Sequence, residues 1–535
     1  MTTVRLVAYA INGRGMGHLV RQLALIRMAR RLCALADVKL EPWLLTSSEA
    51  DTLARREGVP ALKMPSKAML RDAGLDPTRY LAVARGWVLN AINGLSPDIL
   101  VVDTFPGGSF GELVPVLDLV PHKVLVARAV KDEVAGDDAY APLLPLYDDV
   151  IVPDRRDVGP ILIREAAELL PRARAREALG IPDGRRAVYV TRGGGGDLDA
   201  GRELPTLVRT LRDRGWHVVV GAGPLYQGPE IRGEGITWLD RHTPCELLTG
   251  VDAAASAAGY NTFHELMQAG VPTVFLPQPR ISDDQHARAR RALEVGAGRM
   301  AQSLDQVADL LEDPGDPEAA RTLVPQGGSR DAAARILTHV LPDADVRQAR
   351  EALTDDLLRL TSHLDPTQGK KTWALIRLLA GPSPRDRAAR RATLLQLHDE
   401  GVLDAIPAEP PAGPADRIDR FLALCRELDV AADTAMSVIS ALHRTFPRSS
   451  APALLAAAEV LLPAWARFDD WMGAISLLRA VPTQRTLSVE AFAEQAAAWL
   501  AHEDDLFDAV AHFSRLEGHG ARTVPEVLHH LRERS

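Results

Sequence analysis

The sequence predicts an α/β chain: two successive parallel-sheet halves, then an all-helical region. Three observations carry this. Apolar runs such as "VRLVAYAI" (4–11) and "PDILVVDT" (97–104) are apolar nearly throughout rather than alternating, the pattern of strands buried on both faces. A strand, a glycine-rich loop and an amphipathic helix follow one another twice, at "INGRGMGHLVRQLAL" (11–25) and again from "RRAVYVTRGGGG" (185–196). From about residue 341 onward the strand patterns stop and only helical periodicity is found.

The first half opens with the strand at 4–11 and a helix whose apolar positions Leu19, Leu23 and Ile26 recur at helical spacing. "LEPWLLTS" (40–47), "PDILVVDT", "KVLVARAV" (123–130) and "DDVIVPD" (148–154) read as further strands. A stretch rich in Arg, Ala and Pro, about 153–186, separates the halves. The second half repeats the grammar: strand and glycine loop, helix "LPTLVRTLRDRG" (204–215), strands "WHVVVGAG" (216–223) and "ITWLD" (236–240), and the strand pattern in "VDAAASAAG" (251–259). The helix "NTFHELMQAG" (261–270) and the strand "PTVFLPQ" (272–278) complete it. Each half is Rossmann-like, and ligands of such sheets sit outside the carboxyl ends of the strands. Helical patterns at 345–364, 417–430, 452–468 and 489–513 then make an all-α region without a fixed-period repeat. The expected domains are 1–155, 156–340 and 341–535.

The totals agree: 535 residues are too many for one domain, and 25% charged against 46% hydrophobic residues fits a globular chain. A net charge of −9 argues against nucleic acid as the main partner. Cys33, Cys245 and Cys425 lie far apart, outside any disulfide or zinc spacing, which fits a reducing compartment. The opening "MTTVRLVAYAI" lacks the features of a signal peptide, and no apolar run is long enough to span a membrane. A cytoplasmic location is expected, with peripheral membrane contact left open.

Chemistry concentrates in the loops. A helix N-terminus presents unpaired N–H groups, and glycine lets a ligand approach the backbone. The first loop, with Gly15, Gly17 and His18, is neither a Walker A loop nor a good dinucleotide fingerprint, since its spacing is G-x-G-x-G and no acidic residue ends the second strand. His18 at the top of the helix is placed to act as a base near neutral pH, against the plainer reading of a capping or packing residue. In the second half, Gly259 follows a strand, Asn261 and Thr262 open a helix, and Glu265 sits one turn in. That arrangement suits a diphosphate at the helix end and ribose hydroxyls on the carboxylate. Asp284 and Gln285 begin another helix as an acid and amide side by side, a pair suited to sugar hydroxyls.

These motifs resemble the GT-B glycosyltransferases, in particular the family of the peptidoglycan N-acetylglucosaminyltransferase, over about residues 1–340. More narrowly, "GMGHLVRQLAL", "DILVVDTFPGGSFGEL" and "AGYNTFHEL" look like a group of bacterial predicted glycosyltransferases. The resemblance implies a GT-B arrangement and a nucleotide-sugar donor, most often a UDP-sugar, with no metal and no further cofactor. On it, Gly193, Gly194 and Gly195 face the diphosphate, with Gly259, Asn261 and Thr262 at the helix end. Glu265 takes the ribose, Asp284 and Gln285 the sugar, and His242 lies near the nucleobase. Arg14 and Met16 intrude into a loop that is richer in glycine in the family, and the tail beyond 341 has no family counterpart.

Other residues carry two readings each. Asp103 ends a strand at the cleft edge and either orients His18 or caps a helix. Arg21 reaches the cleft or is a solvated surface arginine. Arg192 either neutralises a phosphate or does not contact it. Glu112 is read as a first-turn helix charge, with an acceptor-side role as the alternative, while His264 and His286 are read as helix-surface residues and Cys245 as a small buried side chain. The expected activity is an inverting transfer to an acceptor hydroxyl with His18 as general base. The acceptor is open among lipid-linked, small-molecule and protein hydroxyls. The rivals are a nucleotide-sugar hydrolase in which His18 activates water, a GT-B-shaped epimerase, and a non-catalytic nucleotide-sugar sensor or scaffold.

Overall fold

The computed structural model describes residues 2–11, 13, 15–76, 79–127, 141–154, 158–194, 200–239, 244–278, 283–362, 376, 424, 425, 427, 428, 430, 432–447, 449, 451–466, 475, 478 and 488–500. The chain divides into two compact units, Met1–Arg359 and Leu360–Ser535.

The first unit is built on two six-stranded parallel sheets. In the first lobe β1 (Thr3–Ala10), β2 (Lys39–Thr46), β3 (Ala61–Lys63), β4 (Ile99–Asp103), β5 (His122–Val126) and β6 (Asp149–Ile151) lie in the order β3-β2-β1-β4-β5-β6. In the second, β7 (Ala187–Thr191), β8 (His217–Val220), β9 (Ile236–Trp238), β10 (Ala253–Ser256), β11 (Thr273–Phe275) and β12 (Gly298–Met300) lie in the order β12-β11-β10-β7-β8-β9. Read from opposite edges, these are the same topology. The strand order reverses between β1 and β4 and again between β7 and β10, so each lobe has one switch point where a ligand crevice forms. Every residue of β4 and of β7 is buried, as their unbroken apolar runs require. The three-residue edge strands β3 and β12 were not among the predicted strands.

Helix α1 (Gly17–Leu35) is buried along nearly its whole length. Leu19, Leu23, Ile26 and Leu32 are fully enclosed, each side chain stabilising the fold by about 1.5–3 kcal/mol. Between it and the connection to the second lobe come α2 (Thr52–Arg56), α3 (Lys67–Asp72) and α4 (Leu81–Leu95). The connection carries a 3-10 turn at Ala166–Glu168 and α5 (Arg172–Ala178). The second lobe adds α6 (Ala200–Asp213), α7 (Tyr260–Gln268), α8 (Gln285–Glu294), α9 (Leu304–Leu310) and α10 (Pro317–Leu323). Then α11 (Gly328–Leu337) and α12 (Asp343–Ala352) return to pack on α1, and α13 (Asp355–Thr361) follows. α1 is therefore a wall enclosed between the first sheet and the two helices that follow the second lobe.

A buried ionic cluster reinforces that wall. Arg27 and Arg31 of α1 bind Glu168 at 3.0 and 2.8 Å, Arg27 also reaches Glu57 at 3.2 Å, and Arg164 pairs with Glu57 at 3.3 Å and Glu246 at 3.6 Å. Burial alone would raise the Glu168 carboxyl, but the three surrounding arginines hold it down at about 2.

In the second unit α14 (Ala432–Thr445), α15 (Ala451–Ala466) and α16 (Val489–Leu500) pack together, α15 against both others. Leu442, Leu454, Leu461 and Trp465 are buried, and the rings of Phe446 and Phe492 meet at 5.1 Å. The predicted helix at 417–430 lies mostly outside the described residues, as does 501–513.

Candidate active site

β1 and β4 are neighbours at the first switch point, so the residues that leave their carboxyl ends share one crevice. Asp103 is the last residue of β4, and His18 is the second of α1. His18 Nδ1 donates to Asp103 Oδ1 at 2.5 Å. Arg21, one turn on, is buried rather than solvated, donating from Nε to Asp103 Oδ2 at 2.7 Å and from Nη2 to Oδ1 at 2.6 Å. The Thr104 hydroxyl donates to the same carboxylate at 2.7 Å, held there by a left-handed backbone (φ +61°). Burial opposes the Asp103 charge, but Arg21 and His18 outweigh it and hold the carboxyl well below the usual range. With Nδ1 committed, the neutral ring carries its lone pair on Nε2, the tautomer a general base needs. The Phe105 ring lies 5.5 Å from the imidazole.

The loop between β1 and α1 is tied down by the Ser48 hydroxyl, which donates to the Gly15 carbonyl at 3.2 Å. A Cβ added to Gly17 would meet nothing within 4 Å among the described residues. Met16 reaches across to the second lobe: a Cβ on Gly194 would lie 3.2 Å from its Cγ. The two glycine loops thus face each other.

The second switch point lies between β7 and β10. Gly193 has φ +93°, which favours glycine, and a Cβ there would likewise meet nothing within 4 Å among the described residues. Gly259 is the N-cap of α7, and a Cβ there would also meet nothing within 4 Å among the described residues. The Asn261 Oδ1 is buried without a hydrogen-bond partner among the described residues, a cost usually met by a ligand or water. Thr262 is partly buried beside it. Glu265 lies one turn deeper, and burial pushes its carboxyl up to about 7 against the opposing charge of Arg164. Gly195 and His242 lie outside the described residues.

Three predicted donor residues sit differently from their expected arrangement. Arg192 is buried and committed within its own lobe, at 2.6 Å from Glu203 and donating to the Leu276 carbonyl at 3.1 Å. Asp284 caps α8, accepting from the Ala287 amide at 2.9 Å. Gln285 is buried and accepts from the Gln278 amide at 2.8 Å. Glu112 is not a helix-end charge: it is buried and accepts from the Tyr9 hydroxyl and from the amides of Ser109 at 2.9 Å and Phe110 at 2.5 Å, closing the loop after β4. His264, read as a surface residue, is fully buried because its side of α7 faces the connection between the lobes.

Sequence reasoning did not single out Tyr260, Asp283 or Asp154. Arg21 stands over the Tyr260 ring at 5.3 Å, and Asp283, which pairs with Arg288, also favours the Arg21 charge. The Arg21 contacts cross from one lobe to the other and have no local pattern in the sequence.

No family profile matches the chain. It is 26% identical over 253 residues, 44% of this chain and 68% of the relative, to the UDP-N-acetylglucosamine–N-acetylmuramyl-(pentapeptide) pyrophosphoryl-undecaprenol N-acetylglucosamine transferase of Clavibacter michiganensis subsp. michiganensis. An uncharacterized glycosyltransferase of Methanopyrus kandleri is 28% identical over 220 residues, 37% of this chain and 62% of the relative. Among solved structures, MurG of Acinetobacter baumannii aligns at 16% identity and TM-score 0.42, over 63% of this chain and all of that one. The glycosyltransferase SsfS6 of Streptomyces sp. SF2575, complexed with thymidine diphosphate, aligns at 18% and TM-score 0.45, over 65% of this chain and 99% of that one. The first unit is built of two Rossmann-like lobes, and over part of its length the chain is similar in sequence to an undecaprenol N-acetylglucosamine transferase and to an uncharacterized glycosyltransferase.

Proposed function

We propose that this protein is an inverting glycosyltransferase that moves a sugar from a nucleoside-diphosphate donor, a UDP-sugar in the first instance, to an acceptor hydroxyl. The observation that carries the reading is the His18–Asp103–Arg21 constellation at one switch point, opposite the open N-terminus of α7 at the other. The relatives' names support the class of reaction and the kind of donor.

In this reading the diphosphate lies against Gly193, Gly194, Gly259 and Thr262, where backbone N–H groups and the helix end stabilise the charge of the departing nucleotide. Glu265 binds ribose hydroxyls. Asp284 and Gln285 line the sugar side, Gln285 through the Gln278 backbone it holds. His18 Nε2 takes the proton of the acceptor hydroxyl as its oxygen attacks the anomeric carbon, and the bond from that carbon to the diphosphate oxygen breaks on the opposite face. Asp103 stabilises the imidazolium so formed, and general-base help of this kind is worth about 10²–10⁴-fold.

The test is nucleotide release and thermal protection across UDP-, TDP- and GDP-sugars, in wild type, His18→Ala and Gln285→Ala. One donor that protects the protein, with slow release unless an acceptor is added, supports transfer. Rapid acceptor-free release that His18→Ala abolishes would instead establish a hydrolase. No protection by any donor would sink the nucleotide-sugar reading.

A further inference from the structure

The structure contains a second histidine whose surroundings the proposed reaction does not use. His264 lies on α7, fully buried, with both ring nitrogens engaged: Nδ1 is 2.7 Å from the Tyr260 carbonyl and Nε2 is 2.9 Å from Asp154 Oδ2. A backbone carbonyl only accepts, and so does an ionised carboxylate. Burial opposes the Asp154 charge, but His264 and Arg291 outweigh it and keep the group ionised. Two acceptors require two donors, so the ring donates from both nitrogens.

Asp154 belongs to the chain just past β6, where the first lobe hands over to the second, and its backbone is left-handed at φ +67°. Arg291 of α8 binds the same carboxylate at 3.2 Å and also donates to the Leu323 carbonyl at 3.0 Å. One residue of the lobe connection therefore holds two donor-side helices. The charged and titratable groups facing His264 among the described residues are Asp154, Arg291 beyond it, and Tyr260. The Phe263 ring closes another side, edge-on at 5.1 Å.

Tyr260 links this clasp to the crevice. Its ring lies 4.4 Å from that of His264 on one side and 5.3 Å from the Arg21 guanidinium on the other. Arg21 in turn grips both oxygens of Asp103, which orients His18. The path Asp154–His264–Tyr260–Arg21–Asp103–His18 is continuous and crosses from one lobe to the other.

We propose that His264 is a positioning residue: clamped between the Tyr260 carbonyl and Asp154, it holds the start of α7 at the lobe connection and keeps Tyr260 against Arg21, and so fixes the orientation of the His18–Asp103 pair. The functional weight of that pair rests on the glycosyl-transfer reading; the clasp itself rests on these contacts. His264 touches no reacting atom.

The experiment uses the full chain with ¹⁵N-labelled histidine, comparing wild type with His264→Leu, His264→Gln and Asp154→Asn. The His18 ring signals are identified by their loss in His18→Asn. Wild-type His264 should show two ring N–H protons. His264→Leu and Asp154→Asn should both move the His18 ring-nitrogen signals, while His264→Gln, whose amide still donates to Asp154, should restore most of the wild-type position. A single ring N–H on His264, or unmoved His18 signals in folded Asp154→Asn, would overturn the proposal. Asp154→Asn keeps the shape of the site and serves as the readout where His264→Leu does not fold. No nucleotide is needed, so His18 signals that follow His264 stand even where every donor fails to bind. Silent His18 signals in a donor-binding protein sink the clasp alone.

Discussion

Asp103 both orients a histidine and neutralises a fully buried arginine, so the two consequences of removing it are separable. Asp103→Ala leaves Arg21 buried without its partner and should cost about 3–5 kcal/mol in urea unfolding. Asp103→Asn retains the shape, and its loss should appear mainly in turnover. Because the folded carboxyl is held below its ordinary value, its contribution to stability is complete above about pH 4 and lost as pH falls through the depressed value. Unfolding at pH 3 and pH 6 should therefore differ more in wild type than in Asp103→Asn. Glu265 has the opposite sign: burial raises its folded carboxyl to about 7, above an unfolded value of roughly 4.3, so stability declines as pH rises between the two. Glu265→Gln should melt several degrees above wild type at pH 8 and close to it at pH 4. It should also bind the donor nucleotide about tenfold more weakly, the loss of one hydrogen bond to a charged group.

At the scale of elements, the glycine loops divide into those that pack and those that leave room. Gly223 has φ +83°, and a Cβ there would sit 2.5 Å from the Gly194 carbonyl carbon. Gly223→Ala should destabilise by about 1–3 kcal/mol, since strain and overlap add. Gly259 has an extended backbone and no described residue within 4 Å of an added Cβ, so Gly259→Ala should change stability by less than about 1 kcal/mol. The new methyl would lie where the diphosphate is proposed to bind, and calorimetric titration with nucleotide should show the loss. The long strands and α1 were legible because unbroken apolar runs and helical spacing are local. β3 (Ala-Leu-Lys) and β12 (Gly-Arg-Met) were not, since neither holds a β-branched residue, unlike the equally short edge strands β6 (Asp-Val-Ile) and β9 (Ile-Thr-Trp). The meeting of His18 and Asp103 was one of two readings of a strand-end aspartate. Nothing in "RQLAL" distinguished a buried Arg21 from a solvated one, because the groups that enclose it come from three other elements. His264 was misread for the same reason: its partner lies 110 residues away.

For the molecule as a whole, the first unit is stitched by α11 and α12 on α1 and by the ionic cluster at the lobe connection. Glu168→Ala would leave Arg31 buried without its carboxylate, while Arg27 keeps Glu57, at a cost of about 3–5 kcal/mol by thermal or urea unfolding. The compactness of Met1–Arg359 leads us to expect that a chain ending there folds on its own and keeps donor-induced thermal protection, which a melting curve with and without nucleotide would check. α1 runs through both regions, with His18 near its first turn and Arg31 near its last. The thirteen residue steps from one to the other span about 20 Å of a rigid rod. Such a rod is a lever. If its far end is the pivot, a tilt of about 3° moves the imidazole by about 1 Å, and a misplacement of that size can cost on the order of a hundredfold in rate. Substitutions among the arginines at the deep end can thus be felt at the imidazole without any change in the residues that touch it.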